Sequence, residues 1–324
     1  MDLYEAFKKF FKGNGGYPKF KKRHSDDGFR YPQGFKVEED NGRIFLPKIG
    51  YVRYRNSRKI EGIPKNVTVR EEAEGWYVSI QCEFALKPEI SLPDIDTAVG
   101  IDMGVKRFLT LSDGNFINNL EEKLKPLENK IALLQKRIKH KVKGSNNIKK
   151  AYLKLTLLHK RKADLRNDFL HQVSTLLVKN HDVIVIEDLK VRNMSKSAKG
   201  SIANPGTKVK AKSGLNRSIL NKAWHKFFTY LEYKLKLKGG ILIKVNPQHT
   251  SQTCIKCGHI SKDNRKEQEI FKCIKCGYEA NADHNAAQNI LRRAGLARMA
   301  CQANLIRGRQ QEPAEAYNSS SIVV

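Results

Sequence analysis

From Trp76 to Phe84 the chain alternates. Trp76, Val78, Ile80, Cys82 and Phe84 fall on one side, Tyr77, Ser79, Gln81 and Glu83 on the other. A period of two is that of a strand with one buried face. Arg43–Leu46, Val52–Arg55 and Val67–Arg70 supply partner strands, so residues 41–96 are expected to form a small antiparallel β unit, wedge-like and barrel-like, with Cys82 on its core side. Leu86–Asp96, with Pro88 and Pro93, reads as its exit linker.

The pattern then changes. Val99–Gly104 predicts a strand, Phe108–Leu111 its return, and Phe116-Ile117 a short third strand after the turn at Ser112-Asp113-Gly114. Leu120, Leu124, Leu127, Ile131, Leu134 and Ile138 step by four and three, a heptad seam. Lys143-Gly144-Ser145-Asn146 interrupts it, and a second amphipathic helix runs to about Lys179, which predicts a helical hairpin over 120–181. Val183–Ile186 is apolar on both sides, as a covered central strand must be. Arg192–Gly214, rich in Ser, Gly and Lys, reads as a mobile basic loop. A helix over 216–238, a buried strand Ile241–Val245 and a last helix His284–Met299 follow. The polar tail, 309–324, reads as disordered.

Three meandering strands, helices, strand, helix, strand, helix is the order of an RNase H-like α/β domain. In that order, acids on separate elements converge and hold divalent metal. Asp102 lies within the first strand, Glu187 ends the Val183–Ile186 strand, and Asp283 opens the last helix. A carboxylate at the end of an apolar strand is costly unless compensated. Mg²⁺ prefers carboxylate oxygens, and two such ions about 4 Å apart activate water and stabilise a leaving oxygen. Taken singly, each acid reads equally as an ordinary strand-end or helix-capping residue. Asp188 is a neighbouring competitor, and Asp113 suits the turn of Asp-Gly.

Charge narrows the partner. The 324 residues hold 61 Lys+Arg against 33 Asp+Glu, a net +28. One-signed charge on that scale suits a nucleic-acid partner, since each neutralised phosphate releases counterions. The hairpin alone carries 16 basic and 5 acidic residues. Residues 1–40 mix Phe7, Phe10, Phe11, Tyr17, Phe20, Phe29, Tyr31 and Phe35 with nine Lys and Arg, among them Lys8, Lys19 and Arg30. That mixture fits base stacking with phosphate contacts, or equally a short helix packing its rings inward. No apolar run approaches the roughly 20 residues of a membrane span, and Met1–Lys12 lacks a signal core, so a cytoplasmic protein without membrane contact is expected.

Four of the six cysteines form two pairs, Cys254-x-x-Cys257 and Cys273-x-x-Cys276, 15 residues apart. That spacing reads as a Cys₄ zinc ribbon over 254–277, with Gly258 and Gly277 permitting the tight turns. Four thiolates close the shell, so one zinc ion here is structural. His259 is an alternative ligand that the complete set does not require. Cys82 and Cys301 stand alone.

Five motifs together resemble a known family: Gly100-Ile101-Asp102-Met103-Gly104-Val105-Lys106, Ile184-Val185-Ile186-Glu187-Asp188-Leu189, Thr250-Ser251-Gln252-Thr253-Cys254-x-x-Cys257-Gly258, Cys273-x-x-Cys276-Gly277 and Asp283-His284-Asn285-Ala286-Ala287-x-Asn289-Ile290. In order and spacing they resemble the TnpB (OrfB-type) proteins of insertion sequences, relatives of type V CRISPR effectors. The resemblance implies a RuvC-like nuclease domain over 97–253 and 278–308, with Asp102, Glu187 and Asp283 binding two catalytic Mg²⁺ ions. It also implies a guide RNA from the transposon end, double-stranded target DNA cut beside a short motif, and a prokaryotic, nucleoid-associated setting. Met1–Phe7 resembles the end of the family's helical recognition region, so the chain is expected to be N-terminally shortened, with 1–40 a remnant of that region. Asn281 stands where the family usually has an additional Asp. Two other readings follow from the same residues. One is a shortened, non-cleaving nucleic-acid-binding regulator of transposition. The other is a strand-transfer transposase, disfavoured because the acids run Asp, Glu, Asp and not Asp, Asp, Glu.

Overall fold

The computed structural model describes residues 2–20, 27–83, 94 and 97–308, with side chains from 3 to 295. Phe84, most of the expected linker, the expected tail and the Cys301 side chain lie outside the described residues. The chain divides into two compact units, one within Met1–Ala85 and one within Leu86–Ala316.

The first unit opens with helix α1 (Asp2–Phe11) and continues as strands β1 (Gly28–Tyr31), β2 (Lys36–Glu38), β3 (Arg43–Leu46), β4 (Gly50–Arg53), β5 (Ile63–Glu72) and β6 (Gly75–Glu83). They form two antiparallel sheets, ordered β1-β5-β6 and β2-β3-β4. Ile44 and Leu46 of one sheet meet Val67 and Ile80 of the other, and Cys82 packs against them as its alternation requires. Trp76 begins the same stripe on β6 yet is 58% exposed, because the stripe outruns its cover there. The β architecture starts at Gly28, ahead of the boundary expected at 41, since β1 pairs with β5 and β2 with β3. Polar and basic neighbours hid those two short strands. In the aromatic N-terminus Phe7 and Phe10 meet Tyr17 edge-on, whereas Phe11 and Phe20 are exposed.

The second unit holds β7 (Val99–Met103), β8 (Arg107–Leu111), β9 (Phe116–Asn118), α2 (Glu121–Ile138), α3 (Asn146–Asn180), β10 (Val183–Glu187), α4 (Val191–Met194), α5 (Val209–Lys222), α6 (Trp224–Lys238), β11 (Ile241–Val245), β12 (Ile270–Lys272), β13 (Glu279–Asn281) and α7 (Ala282–Gly308). Five strands make one sheet, ordered β11-β10-β7-β8-β9. The β7-β8-β9 meander is antiparallel, while β10 runs parallel to β7 and β11 parallel to β10.

Alternation along β10 explains why it is apolar throughout. Ile184 and Ile186 face a core built with Leu170, Leu177, Phe227 and Leu231 of α3 and α6. Val183 and Val185 face the opposite way, onto Ile290 and Ala294 of α7. A strand covered on both faces has no side for polar residues. On β7, Val99, Ile101 and Met103 join the first core, which turns Gly100 and Asp102 toward α7. A β-carbon at Gly100 would overlap Ala287 O and approach Leu291 N to 2.8 Å. Only glycine lets the α7 backbone lie this close to β7. Gly100→Ala is expected to cost about 3 kcal/mol or more, read by urea unfolding; stability equal to wild type would show that α7 does not rest on β7.

The hairpin forms as expected. Leu124, Ile131 and Ile138, seven residues apart, are the buried positions of α2, and Ile138 meets Ile148 and Ala151 of α3. Ser145 caps α3 by accepting a hydrogen bond from Ile148 N. Two helical expectations change. The helix expected over 216–238 is broken at Ala223, whose φ of 52° is left-handed, so α5 and α6 are separate. The Ile219-to-Leu235 stripe runs through the break, and no Gly or Pro marks it. Part of the expected basic loop is also helical, in α4 and the start of α5, and the last helix runs from Ala282 to Gly308. Among the described residues no helix is long and apolar enough to cross a membrane.

Candidate active site and metal cluster

Strand alternation and register bring two of the three predicted acids together. Asp102 faces α7, as does Glu187, two residues beyond Val185. The pairing Val185↔Gly100 and Ile186↔Ile101 sets Glu187 level with Asp102 on the neighbouring strand. Asp283 arrives from the opposite direction, in the first turn of α7. Asn281 caps that helix: its Oδ1 accepts from Asp283 N at 3.1 Å and His284 N at 3.2 Å. His284 Nε2 reaches Ser112 O at 3.1 Å, and Ser112 Oγ accepts from Gly100 N, which ties the start of α7 to the edge of β7. Gly100, the cap and the His284 tie together hold Asp283 over the strand ends.

Electrostatics reports the same convergence. The Asp102 carboxyl is pushed up from 3.8 to about 7, first by burial, then by the negative charges of Glu187 and Asp283, with Arg265 opposing. Glu187 is buried and its carboxyl is likewise raised by desolvation, against the Thr250 hydrogen bond and Arg293, which favour its charge. Two acids that raise the cost of charge on a buried third make a place that favours added positive charge.

Two contacts here were not read from the sequence, although Thr250 opens the third motif. Arg265 donates from Nη2 to Asp283 Oδ1 at 3.0 Å, though it lies 18 residues earlier, within the cysteine segment. It was one cation among 61. Thr250 donates from Oγ1 to Glu187 Oε1 at 2.5 Å. Asp188, the neighbouring competitor, is exposed. Asp113 is the turn residue, its Oδ1 accepting from Asn115 N.

The four paired cysteines gather in one place, all their Sγ atoms within 4.8 Å of one another. Cys254 and Cys276 lie 3.7 Å apart, Cys257 and Cys273 3.6 Å apart. A tetrahedral thiolate site with metal–sulfur bonds of about 2.3 Å has edges of roughly 3.8 Å, so the donor set fits such an ion. The two knuckles are built alike. Gly258 N returns to Cys254 O and Gly277 N to Cys273 O, at φ of 73° and 71°. His259 offers only its backbone carbonyl, to Cys254 N. Buried Asn264 links the knuckles, donating to His259 O and accepting from Ile274 N. The cluster is fixed to the α/β unit by Arg265–Asp283, Lys106–Glu269 and Arg292, which donates to Ile255 O.

Two family models match the chain. One, OrfB_IS605, described as "Probable transposase", covers residues 79–198. The other, the Cas12f1-like TNB domain, covers 224–290. The chain is 48% identical over 327 residues to "Putative RNA-guided DNA endonuclease InsQ" of Escherichia coli (strain K12), spanning 99% of this chain and 79% of that protein. A Streptomyces pristinaespiralis protein of the same name, without the suffix InsQ, is 35% identical over 92% of this chain and 70% of its own length. The CRISPR-associated endodeoxyribonuclease Cas12f1 of Sulfoacidibacillus thermotolerans is 29% identical, over 66% of this chain and 49% of its own. With two relatives above 30% identity aligned over most of both chains, and with the motif order intact, this protein belongs to the OrfB/TnpB family of the IS605 type.

Proposed function

We propose that this protein is an RNA-guided, metal-dependent DNA endonuclease whose catalytic residues are Asp102, Glu187 and Asp283. The observation that carries the reading is that Glu187, from the neighbouring strand, and Asp283, from the first turn of α7, both raise the cost of charge on buried Asp102. The sheet order β11-β10-β7-β8-β9 supports a RuvC-type, RNase H-like domain over 97–253 and 278–308. The relatives named above as RNA-guided DNA endonucleases support the activity, and the net charge of +28 suits a guide RNA from the transposon end and double-stranded target DNA. In this reading the β unit from Gly28 to Glu83 is the wedge-like one, and the protein works in the cytoplasm, at the nucleoid.

When bound, two Mg²⁺ ions supply an activated water and neutralise the charge on the leaving oxygen. Asp102, on a central strand packed on both faces, is the least movable of the carboxylates that would hold them. Glu187 enters from the adjacent strand with one oxygen engaged by Thr250. Asp283 is aimed by its helix cap, and Arg265 balances its charge until a cation competes. The Arg265 guanidinium then stands beside the site, suited to a phosphate oxygen. Cys254, Cys257, Cys273 and Cys276 hold one structural Zn²⁺, whose closed shell leaves no position for substrate.

The test is to purify the full chain from cells carrying its transposon end and sequence the RNA that copurifies. Matching duplex DNA is then added with Mg²⁺. A defined RNA and cuts in matching DNA, lost with a chelator, are expected. Guide-loaded protein that shifts the target without cutting would favour the non-cleaving regulator instead.

A further inference from the structure

We infer that Thr250 is a positioning residue that fixes the Glu187 carboxylate for cation binding, and that Asn289 and Asn285 of α7 hold Thr250 in place. This inference rests on the reading of Asp102, Glu187 and Asp283 as a cation site.

Thr250 is 4% exposed, and its Oγ1 lies 2.5 Å from Glu187 Oε1 and 3.0 Å from Pro247 O. A hydroxyl has one proton, and an ionised carboxylate is the stronger acceptor. The proton therefore goes to Glu187 whenever Glu187 carries charge. Oε1 is then engaged, which stops the side chain from rotating freely and leaves Oε2 to meet a cation. Partners behind metal-binding carboxylates set their orientation in this way, and their loss costs about 10- to 100-fold in affinity or activity.

The threonine is itself clamped. Asn289, 3% exposed, donates from Nδ2 to Thr250 O at 3.0 Å and to Thr253 O at 2.6 Å. Asn285, fully buried, donates to Thr253 O and accepts from Ile255 N. Two amides one helical turn apart thus seize the backbone that carries Thr250, just before Cys254. The same helix carries Asp283 in its first turn. One rigid element therefore sets Asp283 directly and Glu187 through Thr250. That places both acids in a common frame and gives the two asparagines a reason to be buried beside the site.

The probe is Mn²⁺ binding to the full chain, followed by the electron paramagnetic resonance of the free ion. Thr250→Val keeps the shape and removes the hydroxyl. It is expected to weaken Mn²⁺ binding about 10- to 100-fold, while Thr250→Ser stays close to wild type. In DNA cleavage the Thr250→Val defect should shrink as Mg²⁺ is raised, which a general loss of structure would not do. Zinc content and melting temperature check the fold; if Thr250→Val is unstable, Thr250→Ala takes its place. Equal Mn²⁺ affinity in the hydroxyl-lacking variant and wild type overturns the inference and leaves the nuclease reading standing. Wild type and Asp102→Asn binding Mn²⁺ equally overturns both.

Discussion

Asp102→Asn is expected to reduce DNA cleavage by roughly three orders of magnitude or more, with guide and target binding unchanged. The substitution nearly conserves volume, on a strand whose other face lies against Ile184, Phe108 and Leu109, so the sheet has no reason to shift. What it removes is the buried charge on which the fields of Glu187 and Asp283 converge. It also carries a sign that can be tested without substrate. Burial and like charge raise the Asp102 carboxyl from 3.8 to about 7. An acid whose folded-state value is raised binds its proton more tightly when folded, so it supports the fold at low pH. That support is lost as pH rises from about 4 through 7. Cation-free Asp102→Asn should therefore melt higher than cation-free wild type at pH 8, with the gap closing as pH falls toward 4. Added Mg²⁺ should raise the melting temperature of wild type and not of the variant. A variant that cuts at the wild-type rate, or that melts below wild type at pH 8, would place the chemistry elsewhere.

The sheet and its acids were legible because each was announced by a periodic feature. Period two on β6 and the unbroken apolar run of β10 follow from one covered face and two covered faces. Asp102 and Glu187 stood out as charges inside such runs, and the cysteine pairs by spacing alone. What stayed hidden is what no local period encodes. β1 and β2 are three or four residues long, and their pairing with β5 and β3 is decided by tertiary contact. The break at Ala223 lies in a stripe that reads equally well as one helix, since both halves bury residues at intervals of three and four. Arg265 and Thr250 touch the acids across 18 and 63 residues of chain, and such contacts leave no mark on neighbouring positions. Asn281 shows the converse. Its departure from the family pattern is visible in the sequence, but only the helix start explains it, where an amide oxygen caps two backbone N–H groups as well as a carboxylate would.

Removing the ion from the cysteine cluster is expected to unfold the ribbon and abolish cleavage while the five-stranded sheet stays folded. The ribbon has little else to hold it. Its two strands are three residues each, and its core is Phe271 with Cys254, Cys273 and Ala282, backed by Tyr278. So small a core cannot offset the ordering of some two dozen residues without a staple. A Cys₄ zinc site supplies about 10–16 kcal/mol of binding that exists only when the segment is folded. The loss reaches the acids because Arg265 and Glu269, which grip Asp283 and Lys106, belong to that segment. Cys273→Ser should therefore lack zinc and show rapid amide exchange over 254–277, with slow exchange kept in β7 and β10. It should cut no DNA. Wild type stripped by a chelator should behave the same way and recover with Zn²⁺ followed by Mg²⁺, but not with Mg²⁺ alone. Full cleavage by zinc-free protein would break the link between the ribbon and Asp283, and leave the cluster with no part in the reaction.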